Sequence, residues 1–145
     1  MKRVISIAAL VTDRPFDVPS VYCTTTSLIL LEELKGLGVQ PLEQGIIGGE
    51  NGLIIGLAKK KNIEGVCLLT ETHGYQTPNG EYVVDPRTAP ATLKVLTQLL
   101  NLKVGMEPME KGIAEMDEAF VKMADIERRM REEMQQTSKK PSYVT

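Results

Sequence analysis

The stretch GIIGGENGLIIGLAKKK, from Gly45 to Lys61, places four glycines within eight residues and then continues as an apolar run. Such a stretch is either a loop that holds a phosphate or a tight turn that joins a strand to a helix. Its spacing, G-x-x-G-G-x-x-G, fits neither the Walker A pattern nor the dinucleotide fingerprint. Glu50 lies inside the turn, where its carboxylate would repel an anion. We therefore predict a structural turn at Gly48, Gly49 and Gly52, with Gly48 and Gly49 at positive φ and close strand–helix packing.

The residues after the turn predict a helix followed by a buried strand. The helix covers Asn51–Lys61, with Asn51 as its N-cap and lysines at the end that suits the helix dipole. Its predicted apolar face consists of Leu53, Ile54, Leu57 and Ala58. Beyond Gly65, the run VCLLTE is typical of a strand buried on both faces.

The residues before the turn predict two further strands and a helix. Val4–Val11 is a continuous apolar run, which favours a strand covered on both faces, and Val21–Thr26 is rich in β-branched residues. Ser27 is placed to cap a helix that ends at Gly36 and Gly38, and a weak strand is predicted over Leu42–Ile47.

Beyond the central strand, residues 72–87 are predicted to be irregular, and Ala89–Leu102 is predicted to be an amphipathic helix. The apolar face of this helix comprises Leu93, Leu96, Leu99 and Leu100. Strands that alternate with helices predict an α/β fold with a layered sheet and flanking helices.

Composition excludes several classes of protein. The chain has 145 residues, a net charge of −2, 4% aromatic residues and no tryptophan. These values disfavour nucleic-acid binding, and no run reaches the roughly 18–20 apolar residues of a membrane span. Cys23 and Cys67 lie in apolar runs and are predicted to be buried thiols of a cytoplasmic protein, although two cysteines alone leave a disulfide open.

The last third of the chain has a repeat typical of a long helix with one apolar seam. From residue 106, apolar side chains follow alternating steps of three and four, interrupted only at Glu127. The seam lies either across the core of its own domain or against a partner helix in an oligomer. We predict domains at 1–104 (α/β core), 105–136 (Met-rich helix) and 137–145 (flexible C-terminal tail). The candidate oligomer interface consists of Met109, Ile113, Met116, Phe120, Met123 and Met130.

Candidate catalytic groups are few. His73 is the only histidine, so a multi-histidine metal site is excluded, and no metal or cofactor is expected. A pair formed by Cys67 and His73 is conceivable, but Cys67 is predicted to be buried. Asp85, Arg87 and Glu81 share one loop and are candidates for binding a polar group.

The glycine block and the strand after it together resemble the archaeal branch of the proteasome assembly chaperone 2 family. The shared pattern is a glycine-rich turn that opens an apolar helix, and then an apolar strand that ends in L-x-E-T-x-G-Y. The matching positions are Ile47, Gly48, Gly49, Gly52, Leu53, Gly56, Leu57, Ala58, Leu69, Glu71, Thr72, Gly74 and Tyr75. The likeness covers residues 1 to about 135, and the chain is similar to the C-terminal portion of longer family members.

This resemblance implies a fold like that of nucleoside phosphorylases without their active site, and a non-enzymatic role in binding proteasome core subunits. Relatives look like homo-oligomers, and some carry a C-terminal hydrophobic–Tyr–any motif that docks on the α-subunit ring. Here Tyr143 is third from the end rather than second, and Ser142 is not hydrophobic. Tyr143, Val144 and Thr145 are the candidate partner-binding residues.

Three functions follow as hypotheses. The first is a proteasome assembly chaperone or activator homologue that self-associates through sheet edges and the Met-rich helix. The second is a phosphorylase-like or hydrolase-like enzyme with a site around Gly48–Asn51 and Glu71–His73. The third is a scaffold subunit of a larger assembly.

Overall fold

The computed structural model describes residues 2–12, 16–76, 82–83, 85, 87–105 and 107–138. A first compact unit ends at residue 106, and a second contains the last helix. The elements are, in chain order, β1 (Arg3–Val11), β2 (Val21–Thr25), α1 (Leu28–Gly36), β3 (Gln40–Pro41), α2 (Gly49–Lys60), β4 (Glu64–Thr72), β5 (Tyr75–Gln76), β6 (Tyr82–Val83), α3 (Thr88–Leu99) and α4 (Glu107–Ser138). The predicted α/β fold with a sheet flanked by helices is confirmed.

Strand β4 organises the first unit. The main sheet has the order β1-β4-β2-β3, in which β4 is parallel to β1 and antiparallel to β2. The pairing with β1 runs without interruption from Arg3 opposite Glu64 to Val11 opposite Thr72. Every residue of β4 after Glu64 is buried, as its continuous apolar run predicts.

Helices cover both faces of the sheet and divide the core into two clusters. On the face of α1 and α3, Val66 and Leu68 pack with Leu30, Leu34 and Val95. On the face of α2, the buried residues are Ile55, Cys67 and Leu69. Alternate residues of β4 therefore supply the two cores, as the period of a strand requires.

Strand β1 differs from the prediction that it is buried on both faces. In the described part of the chain it pairs only with β4, so it lies at an edge of the sheet. Ile7 and Val11 are 51% and 65% exposed, although both are large and apolar. A long apolar edge strand is a typical site for pairing with further polypeptide.

Hydrogen bonds and ion pairs fix α1 against the sheet. The Ser27 hydroxyl accepts a hydrogen bond from the Leu30 amide at 3.3 Å, so the predicted N-cap is confirmed. Arg3 donates to the carboxylates of both Glu33 on α1 and Glu64 on β4, each at 3.1 Å. A hydrogen bond from Ser27 and a smaller contribution from the Arg3 hydrogen bond lower the pKa of Glu64.

Some predicted boundaries are wrong. No strand forms over Leu42–Ile47; the short strand β3 lies just before this segment, which runs irregularly into α2. Helix α3 ends at Leu99, and Leu100 is 46% exposed rather than part of the apolar face. Within residues 72–87, β5 and β6 form a small antiparallel pair, with Tyr75 opposite Val83.

Candidate functional site

The glycine-rich turn positions α2 by two distinct means. Gly49 has a φ of +66°, which a glycine adopts without strain, whereas Gly48 has a φ of −86°. The prediction of positive φ at both glycines is therefore wrong for Gly48. Helix α2 begins at Gly49 with Gly48 as N-cap, so Asn51 lies in the first turn and is not the cap.

Gly52 is required for a close approach within the same turn. A Cβ atom at this position would lie 1.9 Å from the carbonyl oxygen of Ile47. Only glycine leaves room for this contact, because no real Cβ atom tolerates such a distance. Gly52, the last glycine of the cluster, therefore allows α2 to pack closely against the turn.

A cavity of about 280 Å³ lies between the turn and strands β1 and β4. Gln44 and Asn51 supply its polar side chains, and apolar side chains and the glycine backbone supply the rest. Among its described lining residues there is no acid, base or nucleophile. Neither Glu71 nor His73 is among them, so the cavity does not bring together the two halves of the enzyme site considered from the sequence.

The burial of α2 confirms Ala58 as part of its buried face but contradicts the prediction for Leu53, Ile54 and Leu57. Ile55 and Ala58 are the residues that α2 buries against the sheet. Leu53, Ile54 and Leu57 are instead 64%, 46% and 52% exposed. Counting apolar positions could not separate side chains that face the sheet from those that face outward. The helix that begins at the turn thus exposes apolar side chains on its outer surface, which is typical of an interaction site.

Glu71 has a structural environment. Its side chain is 3% exposed, and its carboxylate accepts hydrogen bonds from the Ser20 amide at 3.0 Å and from the Tyr22 hydroxyl at 3.4 Å. Its backbone carbonyl accepts a bond from the Thr88 hydroxyl at 3.0 Å. The buried carboxylate therefore ties the start of β2 to the end of β4.

The polar residues of the loop before α3 bind each other. Asp85 is fully buried and receives two hydrogen bonds from the Arg87 guanidinium, at 2.9 and 2.8 Å. Burial alone would raise the pKa of Asp85, but the hydrogen bonds and charge of Arg87 outweigh it and hold the pKa below its usual range. Glu81, the third predicted member of this group, lies outside the described residues.

An aromatic stack lies beside this ion pair. The rings of Phe16 and His73 are parallel within 6°, with centroids 4.1 Å apart. The Arg87 guanidinium lies 5.5 Å from the centroid of the Phe16 ring. This contact was not predictable from the sequence, because Phe16 and His73 are far apart in the chain.

The two cysteines occupy separate cores. Cys23 packs on the face of α1 and α3, and Cys67 packs on the face of α2. Both are buried free thiols, and burial raises the pKa of Cys23 despite the nearby charge of Lys35. The disulfide that the sequence left open is not formed, and Cys67 is fully buried rather than paired with His73 as a nucleophile.

The remaining predicted sites belong to the second unit. Met109 and Ile113 of α4 are half-buried and Met130 is 60% exposed, whereas the side chains of Met116, Phe120 and Met123 lie outside what the structure describes. Tyr143, Val144 and Thr145 also lie outside the described residues. The assignment of these residues to interfaces stays a prediction.

The described residues form neither a metal-binding cluster nor a membrane-spanning helix. They contain no group of three or more His, Cys, Asp or Glu residues that could hold a metal ion. Among these residues there is also no helix long and apolar enough to cross a membrane.

Comparison with known proteins places these features in a family. The model of the PAC2 family matches residues 1–124, which include the sheet, the glycine-rich turn and α2. The chain belongs to the PAC2 family. A protein of uncharacterised function from Methanocaldococcus jannaschii is 33% identical over 111 residues.

Two solved structures from Pyrococcus furiosus share the fold. Pyrococcus furiosus PbaA, described as an archaeal homologue of proteasome-assembly chaperone, matches 94% of the chain with a TM-score of 0.72 and 29% identity. Pyrococcus furiosus PbaB, described as an archaeal proteasome activator, matches 85% with a TM-score of 0.70 and 26% identity.

The chain spans only part of these relatives. It covers 40% of the Methanocaldococcus jannaschii protein, 54% of PbaA and 51% of PbaB.

Proposed function

We propose that this chain is a non-enzymatic, cytoplasmic proteasome-assembly-chaperone-like protein that self-associates and binds the proteasome core particle. The observation that carries the proposal is the match to PbaA, which extends over 94% of the chain at 29% identity. The likeness to PbaB, a proteasome activator by its description, supports the same class of partner.

The chemistry of the glycine-rich turn supports protein binding. Its cavity is lined by apolar groups, two amides and backbone, and its helix presents an apolar outer face. Such a surface can bind a protein through burial of apolar area, with backbone and amide groups available for hydrogen bonds. The apolar edge of β1 and the seam of α4 are the further surfaces through which we expect self-association.

The C-terminal tail is the proposed contact with the core particle. Tyr143 and Val144 form an aromatic–apolar pair in an otherwise polar tail, which suits docking into pockets on the α-subunit ring. The test is the affinity of the full-length protein for an immobilised archaeal 20S core particle, compared with a chain that lacks Tyr143–Thr145.

We expect the truncated chain to lose binding by at least about tenfold, since a buried aromatic anchor contributes roughly 2 kcal/mol or more. The matched control is Ser138→Ala, which changes an uncharged residue ahead of the proposed contact and should bind as the unaltered protein does. Equal affinity of the truncated and full-length chains would overturn docking through the tail. No binding by either chain would overturn the assignment of the core particle as partner.

A further inference from the structure

The outward face of α2 has an ordered series of side chains. Glu50 lies in the first turn, Leu53 and Leu57 follow one turn apart on the same side, and Lys60 lies in the last turn. Because Ile55 and Ala58 face the sheet, this series points away from it. The face is thus acidic at one end, apolar in the middle and basic at the other end.

This series of side chains is complementary to a second copy of the same helix that runs antiparallel to it. The midpoint between Leu53 and Leu57 is also the midpoint between Glu50 and Lys60. If two such helices pack side by side in opposite directions, Leu53 of each copy faces Leu57 of the other. The Glu50 carboxylate of each copy then faces the Lys60 ammonium group of the other.

We propose that α2 packs antiparallel against α2 of a second copy of this chain, about a two-fold axis at the level of Ile55. Leu53 then contacts Leu57 of the second copy, and Glu50 pairs with Lys60 of the second copy. The interface is isologous, so each contact occurs twice. This inference rests on the proposed self-association and specifies one surface that performs it.

One observation favours a second copy over an unrelated partner, and two more favour close packing of this face against a helix. The charges are complementary at both ends of the face, which an arbitrary partner would have to reproduce. Leu53 and Leu57 are more than half exposed, although burial of their apolar surface would be favourable. Gly56 is exposed with open space around it, so it adds no side chain that would hold two helices apart.

The helix dipole offers a competing explanation for the charges alone. An acid in the first turn and lysines in the last turn stabilise any helix. The dipole does not account for the exposed leucines, however. It also makes a different prediction for self-association when two charge-reversed variants are mixed. A dipole acts within one chain, whereas the proposed ion pairs form between chains.

The test uses two charge reversals in the full-length chain, Glu50→Lys and Lys60→Glu. Each variant alone places like charges against each other at both ends of the interface. We expect each to weaken self-association at least about tenfold, measured by light scattering and sedimentation over a range of concentrations. An equimolar mixture restores opposite charges at both ends, so the two variants should form a mixed oligomer with the affinity of the unaltered protein.

Lys59→Glu is the matched control. Lys59 belongs to the same lysine run, but it lies one turn after Ile55 and therefore on the other side of the helix. This variant should associate as the unaltered protein does. Leu57→Ser, at a site exposed in the single chain, should weaken association without unfolding the protein, which circular dichroism would verify.

The outcomes separate this inference from the proposal on which it rests. An oligomer that persists unchanged in Glu50→Lys, Lys60→Glu and Leu57→Ser would overturn the α2 interface and leave self-association through another surface. Failure of the mixture to recover would also overturn it. An unaltered protein that stays monomeric at every concentration would overturn the proposed self-association itself.

Discussion

At the residue scale, Gly52 shows how one missing side chain determines the position of a helix. The carbonyl of Ile47 occupies the space that any Cβ at residue 52 would need. A sequence shows the glycine but not the atom it approaches, so its role was predictable only as part of a turn. The specific contact depends on the path of the chain from β3 to α2.

We predict that Gly52→Ala lowers the free energy of unfolding by about 2–3 kcal/mol, because the new methyl group displaces the backbone of Ile47. Urea denaturation would measure this change. Gly36→Ala is the control, since nothing lies within 4 Å of a Cβ at that helical position. It should leave the free energy of unfolding unchanged or raise it by up to about 1 kcal/mol. Equal effects of the two substitutions would contradict this account of the turn.

Asp85 provides a second residue-scale prediction. Replacing the buried carboxylate in Asp85→Asn removes its charged pairing with Arg87 and should destabilise the protein by about 1.5–3 kcal/mol at neutral pH. Because the folded state lowers the pKa of Asp85, the carboxylate contributes stability above its unfolded pKa of about 4. This contribution is lost as the pH falls through the lower, folded pKa.

The difference in unfolding free energy between the unaltered protein and Asp85→Asn should therefore shrink as the pH falls below about 4. Urea titrations at a series of pH values would measure it. A difference that is constant across this range would show that Asp85 does not contribute through its charge.

At the scale of elements, the strands and helices that pack fully were predictable. The apolar run of β4 leads to a central, buried strand, and Ser27 caps α1 as its residue type and position suggest. The buried face of α2 was predicted correctly at Ala58 but wrongly at Leu53, Ile54 and Leu57. Its apolar residues outnumber those the sheet can cover, and periodicity alone does not show which ones face outward.

Long-range polar contacts were also beyond prediction. Arg3 joins β1, α1 and β4, and Glu71 holds the backbone of Ser20. Each joins residues that are far apart in sequence, so it depends on the sheet order β1-β4-β2-β3. Charge patterns along the chain contain no information about that order.

The cap of α1 leads to a prediction at this scale. Ser27→Ala should destabilise the protein by about 1 kcal/mol, because the Leu30 amide loses its acceptor. Ser27→Thr keeps a hydroxyl and is the control. Thermal unfolding monitored at a helix-sensitive wavelength would compare the two, and a stable Ser27→Ala protein would show that the cap is dispensable.

At the scale of the whole molecule, several apolar surfaces remain exposed in the first unit. They include the edge of β1 with Ile7 and Val11, and the outer face of α2 with Leu53 and Leu57. Exposed apolar surfaces of this kind are typical of proteins that associate with other chains. This property links the fold to the proposed role in protein assembly.

The most direct test of that role is size-exclusion chromatography with light scattering, on the full-length protein alone and mixed with archaeal 20S core particle. We predict an oligomer when the protein is alone, and in the mixture a shift of part of the protein to the elution volume of the core particle. Elution of the protein at its own volume in the mixture, with the core particle unchanged in mass, would contradict the proposed function.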